Sequence, residues 1–209
     1  MKKLIVVSAL LALTGAASAQ VRITEWMYSG NSGEYIEITN IGGSAVSMAG
    51  WSFDDDSRLA GTIDLSGLGT LKSGESAIIT EITAGEFRTN WSLGPWVKIV
   101  ELNIANLGRN DEINIFDASA MLADRLTYGD QNISGSIRTQ NKSGSTPLAN
   151  LGANNVLGWT LAANGDSYGS YTSDDADIGN PGEYAPIPAP GVLAFGLTGL
   201  GLAARRKRA

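Results

Sequence analysis

The sequence contains no histidine and no cysteine among its 209 residues. Without histidine there is no imidazole general base and no histidine ligand for zinc. Without cysteine there is no thiolate nucleophile, iron–sulfur cluster or disulfide. Basic residues are few, with 15 Lys and Arg against 21 Asp and Glu and a formal net charge of −6. Since binding a nucleic-acid backbone requires a cationic surface, we do not expect nucleic acid as a partner.

The N-terminus has the three parts of a secretory signal peptide. Lys2 and Lys3 precede an apolar run over residues 4–13, and the small residues Ala17-Ser18-Ala19 follow. The apolar run is too short to span the ~30 Å of a bilayer's hydrocarbon core. The pattern therefore predicts a signal peptide over residues 1–19, export of the protein, and cleavage between Ala19 and Gln20.

The C-terminus combines a proline segment, an apolar stretch over residues 191–204 and a basic end. As a helix, the apolar stretch would be roughly 21 Å long, a marginal membrane span that favours transient insertion. This order resembles the PEP-CTERM sorting signal of Gram-negative bacteria that make extracellular polysaccharide. The residues that carry the resemblance are Pro188, Ala189, Pro190, Arg205, Arg206, Lys207 and Arg208.

The PEP-CTERM resemblance implies that residues 185–209 are a sorting tail handled by an exosortase, a membrane-embedded cysteine protease or transpeptidase. It further implies delivery to the cell surface, outer membrane or extracellular matrix. Pro188-Ala189-Pro190 departs from the usual Pro-Glu-Pro, which leaves the processing point open. An unprocessed tail anchor is the alternative.

The middle of the chain, residues 20–184, shows short apolar or alternating runs between turns rich in Gly, Asn and Asp. No segment of 11 to 18 residues there sustains a helical apolar period. The runs predict an all-β sandwich or barrel, with alternation directing Ile36 and Ile38 to the core. The predicted strands are 21–28, 34–40, 45–48, 51–54, 61–65, 76–81, 95–102, 112–117, 121–128 and 158–161. Without the two ends, the chain has a net charge of −12.

Three motifs in this part resemble the opening of the lamin tail domain, an immunoglobulin-like β-sandwich. They are Ile23-Thr24-Glu25, then Glu34 to Asn40, then Gly50-Trp51-Ser52-Phe53-Asp54. Later segments, up to Gly179-Asn180-Pro181-Gly182, follow in the family's order. The resemblance implies an immunoglobulin-like fold and a secreted or surface setting, and it brings no catalytic residues.

The candidate site residues are acidic and aromatic. Glu34 and Glu37 point to opposite faces of one strand, so we interpret them as solvated or turn-supporting carboxylates rather than an acid/base pair. Asp54-Asp55-Asp56 and Asp174-Asp175-Ala176-Asp177 are solvated loop charge or, alternatively, a calcium site. Trp51 is assigned to the core. Trp91 and Trp96 either form an exposed sugar platform or pack over an end of the sandwich.

The loop-like stretch 134–155 is either a long loop with one short strand or a mobile insertion, and it is the second place to look for a binding edge. Together, the sequence predicts a non-catalytic, exported surface or matrix protein with a structural or adhesive role and no cofactor. Expected partners are the exosortase, and extracellular polysaccharide or other surface proteins. A carbohydrate- or calcium-binding module is the alternative, and a carboxylate-dependent secreted hydrolase is the third hypothesis.

Overall fold

A computed structural model of the protein describes residues 20–185. The predicted signal peptide, the cleavage-site residue Ala19, the apolar stretch 191–204 and the seven sorting-signal residues lie outside the described residues. Among residues 20–185, no helix has the length and apolar character needed to cross a membrane.

The described chain consists of short strands with one α-helix and three 3₁₀ helices, which confirms the predicted all-β class. Every predicted strand is present in shorter or shifted form. The strands are β1 (Val21–Met27), β2 (Tyr35–Asn40), β3 (Val46–Ser47), β4 (Ser52–Asp54), β5 (Ile63–Asp64), β6 (Thr70–Leu71), β7 (Ser76–Thr80), β8 (Lys98–Val100), β9 (Asn110–Phe116), β10 (Leu122–Gly129), β11 (Gly144–Ser145), β12 (Thr160–Leu161), β13 (Tyr171–Thr172) and β14 (Ile178–Gly179). The helix is α1 (Ala84–Asn90), and the 3₁₀ helices are Ser66–Leu68, Leu148–Asn150 and Val156–Gly158.

Two sheets form the sandwich. The larger has the strand order β12-β11-β1-β2-β7-β8, and the smaller has the order β10-β9-β4-β5. All pairs are antiparallel except β7 with β8. A parallel pair requires a crossover connection, and α1 lies in that connection.

The main core lies between the two sheets. Ile36 and Ile38 of β2 face inward, as their alternation predicts, and share this core with Ile113 and Ile115 of β9. Trp26 is fully buried and packs its ring against those of Tyr128 and Trp159, with centroid separations of 5.2 Å and 4.9 Å. The core therefore includes side chains from the C-terminal part of the domain.

The outer face of the larger sheet is also covered. Helix α1 places Phe87 against Tyr35 and Ile78 in a second apolar cluster, which also contains Trp91. The sequence prediction missed this helix because seven residues are too few to show an apolar period. Thr83 and Glu86 form a capping box at its start, and this pattern is the sequence signal that could have revealed it.

Replacing Trp159 with alanine tests whether the C-terminal part is integral to the core. Because Trp159 is buried against Trp26, we expect Trp159→Ala to lower the free energy of unfolding by roughly 3–5 kcal/mol. Trp96→Ala is the matched control, since Trp96 is exposed, and should change it by less than about 0.5 kcal/mol. Urea denaturation measures both, and equal effects would contradict the assignment.

Candidate functional site

Two glutamates lie side by side on the outer face of the larger sheet. Glu25 of β1 is paired with Glu37 of β2, and both side chains are buried. Hydroxyl side chains surround them: Thr24, Thr39, Ser76 and Ser143 are all buried within the same polar layer. We call Glu25 and Glu37 the carboxylate pair.

The C-terminal segment of the domain closes over the carboxylate pair. Ser143 Oγ and the backbone N–H of Asn180 both donate to Glu25 Oε1, the latter at 2.8 Å. Thr24 Oγ1 donates to Glu37 Oε1 at 2.5 Å, and the backbone N–H of Gly182 donates to Glu37 Oε2 at 2.8 Å. Backbone donors from the last residues of the fold therefore satisfy both carboxyl groups.

Tyr184 completes this closure. Its backbone N–H donates to Ser76 Oγ at 3.2 Å, and its hydroxyl donates to the backbone carbonyl of Thr146 at 3.0 Å. The segment 180–184 is consequently fixed across the sheet at three successive alternate residues. We call it the closing segment.

Burial raises the pKa of both carboxyl groups in the pair. For Glu25, hydrogen bonds from Ser143 and Asn180 partly oppose the effect; for Glu37, the neighbouring Glu25 charge adds to it. In residues 20–185, no salt bridge joins a Lys or Arg side chain to either glutamate. The raised pKa values favour the protonated form, so the pair loses its negative charge by binding protons.

The space beside the carboxylate pair is small. The cavity that Thr24, Glu25, Glu37 and Tyr184 line has a volume of about 10 Å³. That is room for about one water molecule. A sugar ring does not fit, so the pair cannot serve as the acid and base of a polysaccharide hydrolase in this conformation.

The interpretation of Glu34 and Glu37 as solvated is wrong, because both are buried. Glu34 has a supporting role instead: its Oε2 accepts a hydrogen bond of 2.9 Å from the backbone N–H of Leu107. Burial raises the pKa of Glu34 to about 8. The two side chains have separate partners, as their position on opposite faces predicts.

Glu112 shows how a buried carboxylate behaves when basic partners are present. Arg58 binds it through Nε and Nη2 at 2.7 Å and 2.8 Å, and Arg125 Nε lies 3.1 Å from Oε1. Burial acts to raise the pKa of Glu112, but the hydrogen bonds from Arg58, Thr127 and Asn114 outweigh it and hold the pKa at about 2. This ion-pair cluster fixes the loop after β4 to β9.

The carboxylates of the two acidic loops do not converge on a common metal site. Asp54 is buried and accepts hydrogen bonds from Ser57 Oγ and the Leu59 N–H, whereas Asp56 is exposed. Asp177 is buried and accepts from the Ser32 N–H at 2.6 Å and from Asn141 Nδ2 at 2.9 Å. Across the described range 20–185, no group of three or more acidic side chains is arranged to hold a metal ion.

The tryptophans divide between the two predicted alternatives. Trp51 packs against the main core. Trp91 is 1% exposed and packs among Tyr35, Phe87 and Tyr171, so it takes the packed alternative. Trp96 is 78% exposed and lines a surface groove of about 220 Å³.

The stretch 134–155 is a long loop with one short strand, the first of the two predicted alternatives. Its strand β11 pairs with β1, and Gly144 there is opposite Trp26, where an added Cβ would overlap the indole ring. Ser143 brings the stretch to the carboxylate pair. Its contribution to the site is therefore structural.

The lamin tail domain family model matches residues 14–130, more than half of the chain. The chain belongs to the lamin tail domain family. The match confirms the family resemblance and the immunoglobulin-like, all-β fold class. Lamin tail domains are not known as a catalytic family. No curated protein sequence matches the chain.

The lamin tail motifs coincide with the buried polar contacts. Glu25, Glu34, Glu37, Asn40 and Asp54 are all buried in this chain. Each accepts hydrogen bonds from backbone N–H groups or nearby hydroxyls. These acidic and amide side chains therefore anchor turns and the closing segment.

The carboxylate pair predicts that stability falls as pH rises from about 5 to about 8, because the folded-state pKa values of Glu25 and Glu37 are raised to about 7 and about 8. Burial raises the folded-state pKa above that of an unfolded glutamate, so the folded state binds more protons, and its stability is greatest below the unfolded pKa of about 4.3. In urea denaturation, Glu37→Gln should raise the free energy of unfolding at pH 8 by ~1–2 kcal/mol and reduce the loss between about pH 5 and 8. Asp175→Asn, an exposed control, should leave the pH dependence unchanged. An unaltered slope in Glu37→Gln would contradict the prediction.

The dispersed acidic loops predict no response to calcium. We expect the melting temperature of the domain to be the same in millimolar Ca²⁺ and in chelator, because Asp54 and Asp177 are occupied by internal hydrogen bonds. Differential scanning calorimetry checks this. A rise of several degrees that Asp174→Asn or Asp56→Asn abolishes would contradict it.

Proposed function

We propose that the protein is a non-catalytic component of the surface or extracellular matrix of a Gram-negative bacterium, with a structural or adhesive role. A signal peptide over residues 1–19 exports it. An exosortase then recognises the tail 185–209 and releases the lamin tail domain from a transient membrane-inserted state. Its further partners are extracellular polysaccharide or other surface proteins.

The observation that carries this proposal is that the described chain is bonded into the fold up to the start of the predicted tail. The closing segment is bonded to the carboxylate pair and to Ser76 as far as Tyr184, and Ala185 is exposed. The predicted tail begins at that residue. The described contacts therefore run as far as the residue at which the predicted sorting tail begins, which supports treating 185–209 as a separate signal.

Two further features support a passive role for the domain. The carboxylate pair is enclosed beside a cavity of about 10 Å³, which leaves a polysaccharide no access to it. Residues 20–185 contain nine basic and 21 acidic residues, a net charge of −12, which favours solubility and repels anionic polymers. The carbohydrate-binding alternative gains support from the exposed Trp96.

The mass of the protein recovered from its native host tests the proposal. We expect a species that begins at Gln20 and has lost the basic end, because both terminal signals are removed on the way out. Intact-mass spectrometry of the surface and matrix fractions measures both ends. A full-length tail in the inner-membrane fraction would contradict sorting and indicate a tail anchor.

Replacing the terminal basic cluster sharpens this experiment. Substitution of Arg205, Arg206, Lys207 and Arg208 by alanine should leave the tail uncleaved, since the exosortase pattern includes these charges. A control that removes the basic side chains of Arg138 and Lys142, both exposed on the domain, should be processed normally.

A further inference from the structure

The exposed Trp96 lies on a rigid turn. Pro95 precedes it, and the N–H of Val97 donates to the carbonyl of Gly94 at 3.2 Å, closing the turn 94–97. Proline at the second position of such a turn fixes its backbone. Both flanks are anchored, because Trp91 and Val97 are buried in the second apolar cluster.

The indole ring of Trp96 lies close to Gly94. A Cβ added at Gly94 would overlap the six-membered part of the ring, so the ring lies against the bare backbone of that glycine. With 78% of the residue exposed, much of the ring remains open to solvent. A large aromatic surface is thus presented on a turn whose backbone is fixed before any ligand arrives, which lowers the entropic cost of binding.

Polar groups line the groove beside this ring. The residues that line it include the polar Ser92, Asn180 and Glu183, and Tyr171 is a second aromatic residue there. The Asn180 amide is already positioned by hydrogen bonds to the carbonyls of Tyr168 and Glu183, at 2.6 Å and 2.8 Å. Tyr171 is fixed by its hydroxyl, which donates to the carbonyl of Trp91 at 2.7 Å.

We propose that this groove is a binding site for a neutral polysaccharide, with Trp96 as the stacking platform. A pyranose ring presents an apolar face of C–H groups and a rim of hydroxyls, which matches an indole face bordered by an amide and a carboxylate. A uronic-acid or sulfated polymer is disfavoured, because the groove holds Glu183 and the domain carries a net charge of −12. The proposal deepens the adhesive role, on which its biological setting rests.

Affinity electrophoresis of the purified protein tests the site. The gels contain a soluble neutral polymer, with β-glucan, galactomannan and dextran used in turn, or alginate as the uronic-acid polymer. We expect at least one neutral polymer to slow the native protein and alginate not to do so. Absence of retardation by all three neutral polymers, or equal retardation by alginate, overturns the proposal.

Two variants locate the binding. Trp96→Ala should weaken retardation by about tenfold or more in apparent affinity. Gly94→Ala should also weaken it while keeping the tryptophan, because the added methyl group displaces the ring. Ile104→Ala, which removes another exposed apolar side chain outside the groove, should bind as the native protein does. Thermal melts of all variants identify any loss of folding.

Native affinity in Trp96→Ala overturns the proposal, and so does an equal loss in Ile104→Ala, which would indicate general apolar adhesion such as protein docking. The outcome is independent of export and tail cleavage, because the experiment uses purified protein. A failure to bind polysaccharide would be seen in the gels. A failure of the proposed surface location would be seen in the intact-mass measurement instead.

Discussion

The burial of two neighbouring glutamates, with no basic partner among residues 20–185, is the constraint on which the rest of this domain depends. Desolvating one carboxylate is costly, and placing a second beside it raises the cost. Glu25 and Glu37 are satisfied by the hydroxyls of Ser143 and Thr24 and by backbone N–H groups of the closing segment. The fold is therefore complete only when the chain has returned, 155 residues after Glu25, to supply those donors.

This arrangement makes both faces of β2, a central strand of the larger sheet, interior. A two-sheet sandwich ordinarily leaves its outer faces to solvent, with apolar and polar residues alternating along each strand. Here β2 is buried at every position, from Tyr35 to Asn40. Its inner face joins the main core, whereas its outer face meets helix α1 at one end and the closing segment at the other. The sheet thus acquires a third, thin layer.

The sequence predicts those parts of the fold that depend on the local alternation of apolar and polar residues. Alternation in β2 correctly assigns Ile36 and Ile38 to the core, and every predicted strand is present. The environment of Glu37 could not be predicted in this way, because its partner Gly182 lies 145 residues further along the chain. The position of β11, the short strand of the stretch 134–155, could not be predicted for a related reason: Gly144-Ser145 is too short and polar to show a pattern, and Gly144 lies opposite Trp26, whose ring leaves no room for a Cβ there.

The same reasoning applies to the candidate site. Trp91 and Trp96 are close in sequence and equally apolar, and only the packing of Tyr35, Phe87 and Tyr171 around Trp91 separates their roles. Those neighbours come from three different segments. The sequence therefore identified two candidates for an exposed aromatic platform, and the tertiary contacts show that Trp96 is the exposed one.

The position of the closing segment has a mechanical consequence. Strands β1 and β2 are the two central strands of the six-stranded sheet, and the closing segment is bonded to both of them just before Ala185. Tension applied to the chain beyond that point is delivered to the middle of the sheet rather than to an edge strand that could peel away. A tether attached there would load the most deeply buried strands of the domain, and its resistance to pulling would depend on the two hydrogen bonds to the carboxylate pair and the two that Tyr184 makes.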